Sequence, residues 1–181
     1  MRELALHLLD IARNSIEAGA TALELEVCEE PTADELTFRV RDNGRGMDAE
    51  ALRRATDPFF STRTTRKQGL GLSLLKEACE RSEGWLEVES APGVGTTVRG
   101  RMRLSHVDRP PLGRMGGVIQ ALACEGERVS LRYRHVVGGR EFVLDTEAVR
   151  RELGGGRVNA PAVLCWIERS VEAGLSALHS V

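Results

Sequence analysis

The stretch "DIARNSIEAGA" (residues 10–20) places an asparagine, Asn14, inside a segment that otherwise has the spacing of an amphipathic helix. The apolar and small side chains of this segment recur on one stripe, namely Leu4, Leu8, Ile11 and Ser15. The polar side chains recur at steps of four and three on a second face, namely Glu3, His7, Asp10, Asn14 and Glu17. Asparagine is a poor helix former because its side chain competes for backbone hydrogen bonds, so its position here needs a reason elsewhere in the chain.

The size and charge of the chain exclude several classes of protein. A chain of 181 residues can fill one core and carry a small extension, but it is short for two enzymatic domains. The formal net charge is -2 and neither half has a block of Lys and Arg, so we expect no nucleic-acid or membrane partner. The 4 cysteines have no C-x-x-C pair and no histidine at zinc-ligand spacing, which favours buried free thiols and a cytoplasmic location.

The order of elements predicts an α+β protein. Alternating residues at 23–27 and 36–40 predict an antiparallel strand pair after the first helix. A short helix at 49–55, capped by Asp48, leads into the loop "DPFFSTRTTRKQG", and a helix from "LGLSLLKEACERS" precedes the strands "WLEVES" and "TTVRGRMRL". This order is typical of a two-layer α/β sandwich. Pro110 and Pro111 break the regular pattern, so we divide the chain into residues 1–107 and 112–181.

The second part is predicted to be a small α/β extension. It has a helix at 118–124, a hairpin with Gly138 and Gly139 at its turn, a helix capped by Asp145, and a last helix opened by Asn159. The hairpin arginines Arg132, Arg134 and Arg140 are interpreted as a solvated strand face. The extension matches no motif that indicates a function.

Two glycine-containing stretches carry the chemistry. In "DNGRGM" (residues 42–47) a carboxylate at a strand end is followed by two glycines, which let the backbone turn and let a flat ligand approach. In "KQGLGLSLL" (residues 67–75) glycines precede a helix whose first amides are unpaired and favour phosphate. A dinucleotide fingerprint would need a third glycine where Leu74 stands, and the Walker A lysine is missing.

The set of motifs resembles the Bergerat nucleotide fold of the GHKL superfamily, which includes gyrase, Hsp90-type chaperones, histidine kinases and MutL proteins. The matching motifs, in the order of that superfamily, are the N-box "DIARNSIEAGA", the G1 box "DNGRGM", the F-box-like "DPFF" and the G2 box "GLGL". With the closing "GVGTTV" they span residues 1 to about 104. Each motif is weak alone, and the ordered combination is specific.

The resemblance implies ATP and Mg²⁺ as cofactors and assigns the site residue by residue. Asn14 would hold Mg²⁺ through its amide oxygen. Asp42 would accept a hydrogen bond from the adenine amino group, with Thr96 supporting it through a water. The other residues implied to bind the nucleotide are Gly44, Gly46, Met47, Gly69, Leu70, Gly71 and Leu72, with Arg66 and Lys67 as phosphate contacts from a lid.

Asp10 is the residue on which catalysis would depend. Relatives that hydrolyse ATP have a glutamate one helical turn before the asparagine, where it orients the attacking water. Asp10 is one methylene shorter than that glutamate. A base must come within hydrogen-bond reach of its water, so we expect slow hydrolysis with Asp10 as the base.

The resemblance divides between two kinds of relative. The segment after residue 56 follows histidine kinases, whereas "NSIEAGAT" in the N-box is similar to MutL-type proteins. Only 9 residues precede Asp10, so we do not expect self-phosphorylation on a dimerising helical hairpin. Two hypotheses remain: a stand-alone ATPase or a protein kinase acting on a separate partner, and a nucleotide-gated binding module with little turnover. The extension would dock on the ATP-binding part, on a second copy in a homodimer, or on another protein.

Overall fold

A computed structural model describes residues 3–56, 70–125 and 128–180. The first part contains, in chain order, α1 (Leu4–Glu17), β1 (Ala22–Glu30), β2 (Glu35–Asp42), α2 (Ala49–Thr56), α3 (Leu70–Arg81), β3 (Trp85–Ala91) and β4 (Gly95–Arg103). The second contains α4 (Met115–Cys124), β5 (Ser130–Val137), β6 (Arg140–Asp145), α5 (Thr146–Glu152) and α6 (Pro161–His179). Within these described ranges, no helix is both long and apolar enough to cross a lipid bilayer.

The strands form one six-stranded sheet in the order β3-β4-β2-β1-β5-β6. Adjacent strands in this sheet are antiparallel, except β1 and β5, which are parallel. The alternation read in the sequence decides which face is buried: Leu23, Leu25 and Val27 of β1 are each at most 1% exposed and face the helices. The predicted α+β two-layer sandwich is confirmed.

The opposite face of the sheet carries a network of charged side chains. Arg134 on β5 lies between Glu26 on β1 and Glu141 on β6, with N···O distances of 3.0 and 2.8 Å. Arg101 on β4 pairs with Glu35 on β2 at 2.6 Å. Alternating charges keep this face wetted, so the core forms on the helix side alone.

The C-terminal extension shares the sheet and the core with the first part. Strand β5 pairs with β1 along the register Ala22↔Ser130 to Glu29↔Val137. The amides of Leu4 and Ala5 at the start of α1 donate to the carbonyl oxygens of Pro111 and Leu112, each at 2.9 Å. The division into residues 1–107 and 112–181 stays a prediction about folding units, although one sheet spans both.

Three predictions outside the site need correction. The N-cap of α6 is Ala160, not Asn159, because Pro161 takes the first helical position and fixes where the helix begins. Arg140 is not simply solvated: its guanidinium donates to the carbonyl oxygens of Leu178 and Ser180 at 2.5 and 2.9 Å, satisfying the end of α6. All 4 cysteines are free, but only Cys79 is buried. Burial, followed by the charge of Glu80, raises the pKa of the Cys79 thiol to about 12.

Candidate functional site

A cavity of about 470 Å³ lies between α1, α2, the start of α3, the end of β2 and the start of β4. Six of the predicted site residues line it, namely Asn14, Asp42, Met47, Gly71, Leu72 and Thr96. These residues are up to 82 positions apart in the sequence, and the fold brings them to one cleft. The volume lies within the range of about 300 to 1,000 Å³ that is usual for small-molecule sites.

The carboxylate of Asp42 is the most firmly held polar group in this cleft. It is 8% exposed and ends β2, where β4 begins beside it. Its Oδ1 accepts from the amides of Gly44 at 2.8 Å and Thr96 at 3.2 Å, and its Oδ2 accepts from the hydroxyl of Ser15 at 2.6 Å. A carboxylate offers about four lone-pair sites, so Asp42 keeps acceptor capacity for a ligand in the cavity.

Ser15 is a site residue that sequence reasoning did not assign. It lies on the buried stripe of α1 and is 5% exposed, so its hydroxyl needs a partner inside the fold. A hydroxyl among Leu8 and Ile11 was the available signal, but the partner, Asp42, lies 27 residues further along the chain. Thr96, predicted to support Asp42 through a water, donates its backbone amide to Asp42 directly, and its hydroxyl lies 2.9 Å from that of Ser90.

The turn after Asp42 is fixed by close backbone contacts. Gly46 has φ +67°, and a Cβ placed there would lie 2.0 Å from the carbonyl oxygen of Ala91. A Cβ on Gly44 would lie 3.0 Å from Asp42 Oδ1 and 3.1 Å from the carbonyl oxygen of Ala18. Both glycines therefore shape the floor under Asp42, as their sequence context predicted.

Two further side chains lock this turn, and neither was predicted. Asn43 Oδ1 accepts from the amides of Thr21 and Ala22, both at 2.9 Å, which ties the turn to the start of β1. Ser90 on β3 accepts from the amide of Met47 at 2.8 Å. Contacts with β1 and β3 thus hold the turn from 42 to 47 on both sides.

Helix α1 presents its polar face to the cleft. Asn14 is exposed and lines the cavity, so its amide is available to a ligand or an ion. Asp10 lies one turn earlier, half-buried, beside the start of α3: a Cβ on Gly71 would be 3.7 Å from the Asp10 Cβ. Asp10 itself does not line the cavity, but it lies beside Gly71, which does.

Helix α2 forms the other wall and was predicted only as a helix. Asp48 Oδ1 accepts from the amides of Glu50 and Ala51 at 3.0 and 2.8 Å, which confirms it as the cap. Arg54 lines the cavity and is paired with Glu50. Arg45 also lines the cavity, so cations that sequence reasoning did not name border the cleft.

Some predicted contacts lie outside the described residues. These are the lid cations Arg66 and Lys67 and the glycine Gly69. Leu70 begins α3, so Gly71, predicted to precede this helix, is its second residue and lines the cavity.

A family model described as "Histidine kinase-, DNA gyrase B-, and HSP90-like ATPase" matches residues 2–106. The chain belongs to this family. Residues 2–106 are therefore an ATP-binding domain of the GHKL superfamily, and the predicted resemblance is confirmed. Residues beyond 106 lie outside this match.

Curated relatives match about half of the chain. The Non-motile and phage-resistance protein of Caulobacter vibrioides is 35% identical over 111 residues, which cover 56% of this chain and 13% of the relative. The Sensor protein kinase FleS of Pseudomonas aeruginosa is 42% identical over 88 residues, covering 49% and 22% respectively. The chain thus spans less than a quarter of the length of either relative.

Solved structures share the fold over a longer stretch. The N-terminal domain of a DNA repair protein has a TM-score of 0.56 at 16% identity and covers 80% of this chain and 53% of that one. The MutL ATPase domain of Aquifex aeolicus, complexed with ADP, has a TM-score of 0.50 at 18% identity and covers 85% and 70%. Since this coverage exceeds residues 2–106, part of the C-terminal extension belongs to the shared fold.

Proposed function

We propose that this protein binds ATP with Mg²⁺ and acts on a separate protein partner, either as a slow ATPase or as a protein kinase. The observation that carries the proposal is Asp42: a carboxylate that is buried, held by Ser15, Gly44 and Thr96, and still able to accept a hydrogen bond at the wall of an open cavity. An amino group on a flat base is a donor that such a carboxylate would select, because it would pair the acceptor site that Ser15, Gly44 and Thr96 leave open.

The residues around the cavity fit a metal-bound triphosphate. Mg²⁺ takes oxygen ligands and keeps several waters, so one protein oxygen beside the phosphates is sufficient. The amide of Asn14 is exposed on the cavity wall and supplies that oxygen. The start of α3 at Gly71 and Leu72 faces the same cavity, and the amino end of a helix favours negative charge. Bound Mg²⁺ would neutralise phosphate charge during transfer.

Asp10 is proposed as the base that orients a water, or a partner's hydroxyl, for attack on the terminal phosphate. It lies one helical turn before Asn14 and beside Gly71, at the phosphate end of the proposed site. Its side chain is short and does not line the cavity, so it would need closure of the site or a bridging water to reach the attacking group. This position supports slow turnover.

A second candidate is a nucleotide-gated module with little or no turnover. One observation favours it: the first turn of α1, the helix that carries Asp10 and Asn14, is hydrogen-bonded to the segment that enters the extension, through Pro111 and Leu112. A nucleotide that shifts α1 would therefore alter the extension, and a partner or a second copy in a homodimer would sense this change.

Calorimetric titration with ATP·Mg²⁺ tests the common part of both candidates. We expect Asp42→Asn to lose binding, because the amide presents a donor in place of an acceptor. Asn14→Ala should weaken binding and reduce its dependence on Mg²⁺. Asp108→Asn removes an exposed carboxylate from the linking segment and is the matched control. Unchanged binding in Asp42→Asn would overturn the proposal.

Incubation with γ-labelled ATP separates the candidates. Phosphate release that Asp10→Ala abolishes, with Asp108→Ala unaffected, supports an ATPase. Label on an added partner protein supports a kinase. ATP binding with neither release nor transfer would refute the enzymatic proposal and support the nucleotide-gated module.

A further inference from the structure

A second cluster of polar side chains lies at the opposite end of the sheet from Asp42. Glu29 is near the end of β1, His135 is on the parallel neighbour β5, and His179 is the last residue of α6. Val27 pairs with His135 in the sheet, so His135 and Glu29 point to the same, helix-covered face. Both histidines lie outside residues 2–106, whereas Glu29 lies within them.

The three side chains converge on one point. Glu29 Oε1 lies 2.9 Å from His135 Nε2 and 3.1 Å from His179 Nε2. All three ligand atoms lie within 4.8 Å of one another. The side chain of His135 is 0% exposed, that of Glu29 13% and that of His179 45%, so the cluster is walled on one side and open to solvent at His179.

The hydrogen bonds of His179 leave two acceptors facing each other. His179 Nδ1 lies 2.8 Å from the carbonyl oxygen of Leu175, which can only accept, so Nδ1 carries the hydrogen. In the neutral imidazole the lone pair on Nε2 then points at Glu29 Oε1, which also accepts. Two acceptors 3.1 Å apart require a cation between them, either a proton or a metal ion.

His135 is also held from behind, in its case by a hydroxyl group. Its Nδ1 lies 2.7 Å from the hydroxyl of Tyr133, which can accept or donate, so Nε2 can present a lone pair to the cluster. Metal-binding histidines characteristically direct their second ring nitrogen to a carbonyl or another fixed polar group, which sets the tautomer and the ring orientation. Leu175 and Tyr133 provide these outer contacts.

We propose that Glu29, His135 and His179 form a binding site for a divalent transition-metal cation of the Zn²⁺ type. In a tetrahedral site with metal–ligand distances of 2.0 to 2.2 Å, neighbouring donors lie about 3.3 to 3.6 Å apart. The present separations of 2.9 and 3.1 Å between Glu29 Oε1 and the two Nε2 atoms would have to open by about 0.2 to 0.7 Å. Two imidazoles and one carboxylate suit Zn²⁺, and they leave a fourth position for water on the open side.

Such a site would connect the two parts of the chain. Glu29 belongs to the ATP-binding domain, and His179 ends the last helix of the extension. Arg140 already holds this helix end through the carbonyl oxygens of Leu178 and Ser180. A bound cation would therefore clamp α6 to β1 and stabilise the folded chain by mass action.

The test is a Zn²⁺ titration of the chain without nucleotide, in competition with a chromophoric chelator. We expect one equivalent to bind to the wild type, and His179→Gln and Glu29→Gln each to weaken binding at least tenfold. His106→Gln is the matched control, because His106 Nε2 also faces a carboxylate, Glu83, at 3.8 Å. Asn14→Ala should retain full Zn²⁺ binding, which separates this site from the nucleotide site.

Two further measurements distinguish the loss of the metal site from misfolding of a variant. Far-UV circular dichroism checks that each variant is folded, and the visible absorption of bound Co²⁺ reports the coordination directly. Zn²⁺ should raise the thermal midpoint of the wild type but not that of His179→Gln. A wild type that binds Zn²⁺ no more tightly than His179→Gln would overturn the proposal and leave a proton as the bridging cation. Equal weakening in His106→Gln would overturn it as well.

Discussion

Two carboxylates at opposite ends of the same sheet, Asp42 and Glu29, are held in contrasting ways. Asp42 is surrounded by donors from three parts of the chain and borders an open cavity. Glu29 faces two imidazoles in a cluster that only His179 opens to solvent. The first arrangement is an acceptor beside a cavity for a large ligand, and the second brings three potential metal ligands within 4.8 Å of one another. One fold thus supports a nucleotide site in its family domain and a compact polar clamp at its extension.

The largest expected effect concerns two glycine turns, the closely packed one after Asp42 and the open one between β5 and β6. Gly46→Ala places a Cβ 2.0 Å from the Ala91 carbonyl oxygen at a φ of +67°, whereas Gly139→Ala in the β5–β6 turn has a φ of +82° but nothing within 4 Å. We expect Gly139→Ala to lower the free energy of unfolding by about 1 kcal/mol and Gly46→Ala by about 3 kcal/mol or more. Urea unfolding of both variants measures the difference. Equal losses of unfolding free energy in the two variants would mean that the turn after Asp42 is not tightly packed.

The next effect tests how Asp42 is held. Ser15→Ala removes the donor to Asp42 Oδ2, and a hydrogen bond to a charged group is worth about 1.5 to 3 kcal/mol, so ATP affinity should fall roughly tenfold or more. Ser82→Ala is the matched control, since Ser82 is also buried but donates to the carbonyl oxygen of Ala78. Calorimetry should show a loss of affinity only for Ser15→Ala. Identical affinities in the two variants would show that Ser15 does not support nucleotide binding.

At the other end of the sheet, Arg140→Ala should weaken the clamp. The variant leaves the carbonyl oxygens of Leu178 and Ser180 without their donor at the end of α6. We expect a loss of about 1 kcal/mol in the free energy of unfolding, with ATP affinity unchanged. Arg132→Ala, at an exposed position on β5, is the control. A loss of nucleotide affinity in Arg140→Ala would show that the two ends of the sheet are coupled.

The smallest effect concerns Asp34, which links the turn between β1 and β2 to the end of β4. Asp34 accepts from Arg103 and Ser105, and these hydrogen bonds lower its pKa from 3.8 to about 2. Because the folded pKa lies below the unfolded one, this stabilisation is full above pH 4 and disappears as the pH falls through 2. Asp34→Asn, which keeps a residue that tolerates the φ of +54°, should therefore be less stable than the wild type at pH 5 and equal to it near pH 2. Urea midpoints across this range measure the difference, and a constant offset would contradict the assignment.

The sequence predicted the parts of the site that lie in recognisable motifs. A carboxylate followed by two glycines is common in turns, so the stretch from Asp42 to Met47, like Asn14, was identified through the ordered combination of motifs. Both line the cavity. The start of α6 was misplaced because Asn159 is a good cap in isolation, whereas Pro161 decides where the helix begins.

The remaining features depend on distant pairings that no local pattern encodes. Ser15 meets Asp42 across 27 residues. Glu29 meets His135 across 106 residues and His179 across 150, and these contacts require the parallel pairing of β1 with β5. The hairpin pattern predicted β5 and β6 but not that they extend the sheet of the first part. Registers between distant strands are set by the packed core and not by the strand sequences alone.

The affinity of the wild type for ATP compared with inosine triphosphate tests most directly that Asp42 recognises the adenine amino group. Inosine has a carbonyl oxygen in place of that amino group, so it would set an acceptor against a buried carboxylate. We expect ATP to bind at least tenfold more tightly in calorimetry, because a hydrogen bond to a charged acceptor is worth about 1.5 kcal/mol or more. Equal affinity for the two nucleotides would contradict this account.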